Sequence, residues 1–230
     1  MSRRGSEIGH TLPPALGVTD PTAQAFLDAA RYAGAVVASP AIGKAWHGSS
    51  ALERMTVGSV AGHTFLVLRR VALHLDAPAG DAGTSLAISQ FQWLRVESEA
   101  DLDAPEHRRV REDGDHVAAW GWEDVCAAYA ARLEGLRGRL ADPVPETVEL
   151  GERTMALNAY LGTRIVELLT HADDLAVSVG LTLDPPPEAA AGIAIGTVAS
   201  GARRLHGDLQ VLRTFVRPER TAGRYPSVLS

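Results

Sequence analysis

Apolar residues recur at helical spacing in five stretches of the chain. In each stretch they follow one another at intervals of three or four positions, as in a helix that buries one face. The stretch that ends at Val179 has the most regular pattern. The predicted helices run from Pro21 to about Val37, from Val57 to about Leu75, from Trp120 to about Leu140, from about Asn158 to Val179, and from Glu188 through Leu212.

Signals for helix ends accompany these stretches. Asp20 and Thr56 can cap the first turns of two helices, because their side-chain oxygens accept hydrogen bonds from backbone N–H groups. Pro40 ends the first helix, since proline cannot continue the hydrogen-bond ladder. Gly180 suits the left-handed position that often follows a helix.

The segments between the predicted helices differ in character. Residues 76–119 contain clusters of Pro, Gly and Asp, a short apolar piece at 91–94 and a charged stretch at 106–115. We interpret this segment as a long crossover with some local structure. Residues 146–158 alternate weakly between apolar and polar positions, which fits either a short hairpin or an irregular lead-in to the next helix.

These elements predict a mainly α fold with a single helical-bundle domain over residues 20–216. The bundle would contain four helices, a long crossover and an extra C-terminal helix. Residues 1–19 are predicted to be a flexible N-terminus, because Gly, Pro and Ser occur there without periodicity. Residues 217–230 are predicted to be a C-terminal tail.

Composition limits the function classes and the location. The net charge is −6 and the Arg residues are spread along the chain, so no broad basic surface is available for nucleic acid. The single cysteine, Cys126, excludes disulfides within the chain and zinc sites of several thiolates. Residues 1–17 lack the apolar core of a secretory signal, and the longest apolar run, 189–199, is far shorter than the ~20 residues that span a bilayer. We therefore expect a cytoplasmic protein with neither nucleic acid nor a membrane as partner.

A polar stripe on the predicted helix at 158–179 carries the candidate chemistry. At about 100° per residue its members align beside the apolar face, and Val166 and Val177 lie on their far side. Apolar residues on both flanks favour a buried site over plain solvent surface. The stripe consists of Tyr160, Arg164, Glu167, His171, Asp174 and Ser178.

Glu167 and His171 are the candidate metal ligands of this stripe. They are four positions apart on the helix, so both side chains can reach one ion. Carboxylate oxygen and imidazole nitrogen suit Zn²⁺ and, with open coordination positions, other first-row divalent metals. The same spacing also occurs by chance on many helices, where Arg164 would simply support a surface or boundary pair.

A three-ligand catalytic site needs a third residue from another helix. His63, in the second predicted helix, is the best-placed candidate. Asp174 or Asp173 can accept a hydrogen bond from His171 and so orient its ring. The rival third ligands are His74, His116 and His206.

Two segments around these residues resemble the mycothiol-dependent maleylpyruvate isomerase N-terminal family, a branch of the DinB-like metal-binding bundles. They are Met55-Thr-Val-Gly-Ser-Val-Ala-Gly-His63 and Tyr160-Leu-Gly-Thr-Arg-Ile-Val-Glu-Leu-Leu-Thr-His-Ala-Asp-Asp-Leu-Ala176. The likeness covers roughly residues 20–180. It implies a DinB-like bundle in which His63, Glu167 and His171 hold a divalent metal, usually zinc.

The resemblance also implies a chemistry. Family members bind the thiolate of a low-molecular-weight thiol, mycothiol or bacillithiol, at the metal and pass it to an electrophile. For this chain it implies a metal-dependent transferase, isomerase or detoxification enzyme that takes a mycothiol-like thiol and a small electrophile. Arg164 and Tyr160 are the candidate substrate- or thiol-binding residues, and no catalytic residue is assigned.

One departure from the family favours thiol transfer or detoxification over maleylpyruvate isomerisation. The isomerase has a distinct C-terminal domain that supplies a substrate-binding arginine, whereas residues 181–230 indicate one helix and a tail. Arg217 and Arg220 have no secure counterpart in that domain. Two alternatives stay open: a non-catalytic, metal-stabilised bundle for ligand binding or homodimer formation, and metal-assisted hydrolysis with water as nucleophile.

Overall fold

Helices dominate the computed structural model, which describes residues 20–77, 84–87 and 103–217. Eight helices lie within these ranges: α1 (Pro21–Val37), α2 (Pro40–Lys44), α3 (Val57–Asp76), α4 (Pro105–Ala118), α5 (Trp122–Ala141), α6 (Leu157–Val179), α7 (Glu188–His206) and α8 (Asp208–Val216). Three short strands complete the described secondary structure: β1 (Thr84–Leu86), β2 (Thr147–Leu150) and β3 (Arg153–Ala156). The mainly α prediction is confirmed.

The helix ends follow the predicted caps. The Asp20 carboxylate accepts hydrogen bonds from the backbone N–H groups of Thr22 and Ala23, at 2.8 and 2.9 Å. Thr56 caps α3 in the same way through the N–H of Ser59. Gly180 ends α6 with φ of 70°, a left-handed conformation that costs glycine little.

The core lies between four long helices. Both α1 and α3 pack against α5 and α6, so α6 is buried along most of its length. Burying the apolar stripes of these helices is the main favourable contribution to folding. The largest fully buried side chains are Tyr160, Phe26, Leu27, Ile42, Leu68, Leu75, Leu136, Met155, Leu161, Ile165, Leu168 and Leu175.

A small sheet with strand order β1-β3-β2 precedes α6. β2 and β3 form an antiparallel hairpin, and β1 pairs in parallel with β3. The turn of the hairpin contains Gly151 with φ of 68°. Of the two interpretations of this region, the hairpin is therefore the one observed, and it leads directly into the helix that carries the polar stripe.

The segment predicted to be a long crossover with some local structure contains the helix α4 at Pro105–Ala118. This helix packs closely on α3, yet its apolar residues are few. The two backbones approach at glycines: a Cβ added to Gly62 would lie 2.5 Å from the carbonyl oxygen of Gly114. The short apolar piece at 91–94 lies outside the described residues.

Two further differences concern helix boundaries. Pro40 does end α1, but it also starts the five-residue α2, capped by Ser39. The single long C-terminal helix is instead two helices, because Gly207 with φ of 81° interrupts it. The predicted flexible residues 1–19 and nearly all of the predicted tail lie outside the described residues. None of the described helices combines the length and apolar character of a bilayer-spanning segment.

Candidate metal centre

The polar stripe of α6 faces inward, against α3. Tyr160 and Arg164 are only 2% and 5% exposed, and the Glu167 and His171 side chains are mostly covered. The stripe meets α3 at His63, which is itself 5% exposed. The flanking residues differ, because Val166 is buried and Val177 is exposed. The prediction that this stripe is more than solvent surface is confirmed.

His63, Glu167 and His171 converge on one point. The Nε2 atom of His63 lies 3.5 Å from Oε2 of Glu167, and Nε2 of His171 lies 3.3 Å from the same oxygen. One candidate ligand atom from each residue lies within 4.8 Å of the other two. Ligand atoms bound at about 2.1 Å to one tetrahedral ion lie ~3.4 Å apart. The donor types and the two separations from Oε2 of Glu167 therefore fit a divalent cation held by three protein ligands.

The Nδ1 atoms of the two imidazole rings, which do not face Glu167, have different surroundings. Nδ1 of His171 lies 3.0 Å from a carboxylate oxygen of Asp174, the arrangement that commonly orients a metal-binding histidine. Nδ1 of His63 is buried and has no hydrogen-bond partner among the described residues. The rings meet edge to face with centroids 4.9 Å apart, so packing contributes to the position of His63.

Arg164 contacts Glu167 from the side away from the histidines. Its Nη2 atom lies 3.7 Å from Oε1 of Glu167, and its Nε donates a hydrogen bond to Oγ1 of Thr163 at 3.1 Å. The guanidinium also lies over the Tyr160 ring, 5.2 Å from its centroid. These contacts hold the Arg164 guanidinium beside the Glu167 carboxylate, where it restricts the position of that side chain.

The charges of the cluster suit cation binding. Burial lowers the pKa of His63, which is therefore neutral near neutral pH. Burial alone would raise the pKa of Glu167, but Arg164 and hydrogen bonds from both histidines hold it well below its usual value. Burial opposes protonation of His171, yet hydrogen bonds to Asp174 and Glu167 raise its pKa to about 9. A cation would therefore find a carboxylate and a neutral imidazole, and would displace a proton from His171.

The structure distinguishes His63 from the other candidate third ligands. The ring of His74 packs edge to face on Tyr160, with centroids 5.0 Å apart. His116 lies on α4 and His206 is exposed on α7. Asp173 is exposed next to Asp174, so of the two candidate acceptors for His171 only Asp174 serves.

A polar continuation of the site runs along α3, and its residue Arg70 was not among the predicted site residues. Arg70 and His74 follow His63 by seven and eleven positions, which places all three on one helix face. Arg70 is close enough to disfavour protonation of His74 and His63 electrostatically. The helical spacing of these three residues is the signal that could have revealed this face.

Comparisons of the chain with protein-family models, curated proteins and solved structures gave no match.

Proposed function

We propose that this protein is a metal-dependent enzyme that uses a low-molecular-weight thiol, mycothiol or a similar compound, in a transfer or detoxification reaction on a small electrophile. The observation that carries the proposal is the convergence of His63, Glu167 and His171, with separations of 3.3 and 3.5 Å to the shared carboxylate oxygen. Zinc is the metal that these ligand types suit best.

Three protein ligands leave a coordination position for a small molecule. A divalent cation in this site lowers the pKa of a thiol or water next to it, so that the anionic nucleophile is available near neutral pH. Glu167 and the two histidines hold the cation, and Asp174 keeps the Nε2 atom of His171 turned toward Glu167.

Arg164 has a positioning role in this proposal. Its contact with Oε1 of Glu167 leaves Oε2, the oxygen nearer the histidines, for the cation. Because Tyr160 lies under the guanidinium, it supports the same arrangement. Binding of a substrate carboxylate or the thiol by this pair is the second part of the proposal, since a buried arginine favours anions.

The resemblance to the mycothiol-dependent isomerase N-terminal family supports the thiol as co-substrate. The two segments that carry it contain the three proposed ligands, and they lie on α3 and α6, which pack against each other. We accordingly propose a DinB-like arrangement of the bundle. The single cysteine, Cys126, is a free thiol, and a reducing cytoplasm is the proposed location.

The first test is the metal content of the full-length protein purified without chelators. We expect about one zinc per chain in the wild type and a loss of metal in His171→Ala. His47→Ala is the control, because His47 is exposed and lies outside the cluster. A wild type that takes up no divalent metal, even when zinc is supplied, would contradict the proposed centre.

The second test replaces the metal with Co²⁺ and titrates mycothiol, bacillithiol and glutathione. Direct sulfur coordination produces a charge-transfer absorption band, which His171→Ala should lack. Saturable appearance of the band with one thiol, together with thiol-dependent consumption of an electrophile such as monobromobimane, supports the enzyme. Tight metal binding without any thiol band would favour the non-catalytic bundle, in which the ion ties α3 to α6.

A further inference from the structure

A concave surface lies between α3 and α4. It is a cleft of about 350 Å³, within the size range of small-molecule sites. One wall is the face of α3 that carries Leu66, Arg69 and Leu73, and the other is the end of α4 with His116. The cleft is thus bounded by two helices that pack tightly at their glycines.

The cleft has an exposed apolar surface. Leu73 is 59% exposed and Trp120 is 47% exposed, and both line the cleft. The Trp120 ring is held by edge-to-face packing on Phe65, with centroids 5.7 Å apart. One part of the indole is therefore fixed by the core while another part faces the cleft, as in a preformed wall for a flat apolar ligand.

The charged groups of the cleft favour an anion. Nη2 of Arg70 lies 3.5 Å from a carboxylate oxygen of Asp113, so these opposite charges offset each other. Arg69 is exposed and makes no ion pair with the described acidic residues. His116 adds a second hydrogen-bonding group from α4. A guanidinium and an imidazole on facing walls suit a carboxylate or a similar anion.

The cleft and the candidate metal centre lie on neighbouring faces of α3. At about 100° per residue, Leu66 and Leu73 are turned away from His63 by about 60° and 80° around the helix axis, and Arg69 by about 120°. None of the three proposed metal ligands lines the cleft. Arg70 is the residue of α3 that lies between the two surfaces, since its charge also acts on His63.

We propose that the α3–α4 cleft is a binding site for a flat, apolar organic anion, such as an aromatic carboxylate. Arg69 and His116 bind the anionic group, and Trp120 and Leu73 cover the apolar body. The site goes beyond the proposed thiol chemistry and does not depend on it, because the cleft needs no metal for the contacts described.

The test is isothermal titration calorimetry with naphthalene-2-carboxylate and its uncharged analogue naphthalene-2-carboxamide. The full-length protein is first freed of metal with a chelator, so that the carboxylate cannot bind at the metal centre. Arg69→Gln should weaken carboxylate binding about tenfold or more and leave the weaker binding of the amide unchanged. Trp120→Leu should weaken binding of both compounds.

Two matched controls locate the binding. Arg109→Gln removes another exposed arginine, on α4 but outside the cleft lining, and should bind the carboxylate as the wild type does. His171→Ala should also bind normally. The proposal is overturned if the wild type shows no saturable binding, if Arg69→Gln and Arg109→Gln weaken it equally, or if His171→Ala abolishes it. Because Arg69 is exposed, its substitution leaves the fold intact, as circular dichroism of the variant will verify.

Discussion

His63 and His171 both direct Nε2 toward Glu167, but different contacts keep the two rings in position. Asp174 accepts a hydrogen bond from His171 at 3.0 Å, whereas His63 is fixed by burial and by its contact with the ring of His171. At the scale of single residues, one candidate ligand is therefore oriented by a charge and the other by packing. Removing the carboxylate of Asp174 should therefore act first on His171.

We predict that Asp174→Asn lowers zinc affinity about 10- to 100-fold, the usual effect of losing the partner that orients a metal-binding histidine. Asp173→Asn is the matched control, because Asp173 is exposed and adjacent in sequence. Affinity is measured in chelator-buffered zinc at about pH 9, where protons compete only weakly for His171. Equal affinities of the two variants would show that Asp174 does not support the centre.

Part of this centre could be predicted from the spacing of residues. The i, i+4 pair of Glu167 and His171, and an acceptor at Asp174, follow from the geometry of one helix. The third candidate ligand does not follow from it, because helical spacing says nothing about which helix lies opposite. The helix pattern made His63 the best-placed of several candidate histidines, and the resemblance of its surrounding segment strengthened that choice.

At the scale of elements, α4 shows why periodicity can fail. The helix packs on α3 through backbone contacts at Gly62 and Gly114, and charged residues cover much of its remaining surface. The face of α4 that packs on α3 carries few large apolar residues, because small residues allow the backbones to touch. The pattern of large apolar residues therefore predicts a crossover for this segment, although α4 packs closely on α3.

We predict that Gly62→Ala destabilises the protein by about 1–3 kcal/mol, because the new methyl group overlaps the backbone of α4. The added Cβ would lie 2.5 Å from the carbonyl oxygen of Gly114 and 3.0 Å from Cβ of Val117. Gly192 is the control, since it lies inside α7 with nothing within 4 Å of an added Cβ. Gly192→Ala should stabilise by up to ~1 kcal/mol through helix propensity. Urea unfolding of both variants measures the difference, and the same sign of change in both would refute the close contact.

At the scale of the whole molecule, aromatic side chains join the helices by hydrogen bonds across the bundle. Tyr129 of α5 donates to the carbonyl oxygen of Ala30 in α1 at 2.8 Å, and Trp122 donates to that of Val37. Their partners are far away in sequence, so helical patterns predict the helices but not these bonds. Gly34 makes room for the Tyr129 ring, because an added Cβ there would lie 2.7 Å from Cε1.

The Tyr129 hydroxyl should make the free energy of unfolding decrease as pH rises in the alkaline range. Burial raises its pKa far above the ordinary value of 10.0, so the folded state keeps the proton while the unfolded state loses it. A group with a raised folded pKa contributes stability that is fully present below the unfolded pKa and is lost as pH rises toward the folded one. Above pH ~10, the wild type should therefore lose about 1.4 kcal/mol per pH unit through this residue.

We predict that Tyr129→Phe is less stable than the wild type by about 1 kcal/mol at neutral pH, because it lacks the hydrogen bond to Ala30. Phenylalanine has no proton to lose, so the variant keeps its stability where the wild type loses it. The difference in free energy of unfolding should therefore fall to zero within about one pH unit above pH 10 and then reverse in sign. Urea unfolding of both proteins at neutral pH and at two alkaline pH values measures it. Tyr32→Phe is the comparison. The Tyr32 hydroxyl donates to the carbonyl oxygen of Asp184 at an exposed position, and burial raises its pKa by less than that of Tyr129. A constant difference between Tyr129→Phe and the wild type across this range would mean that the hydroxyl becomes accessible to solvent in the folded protein.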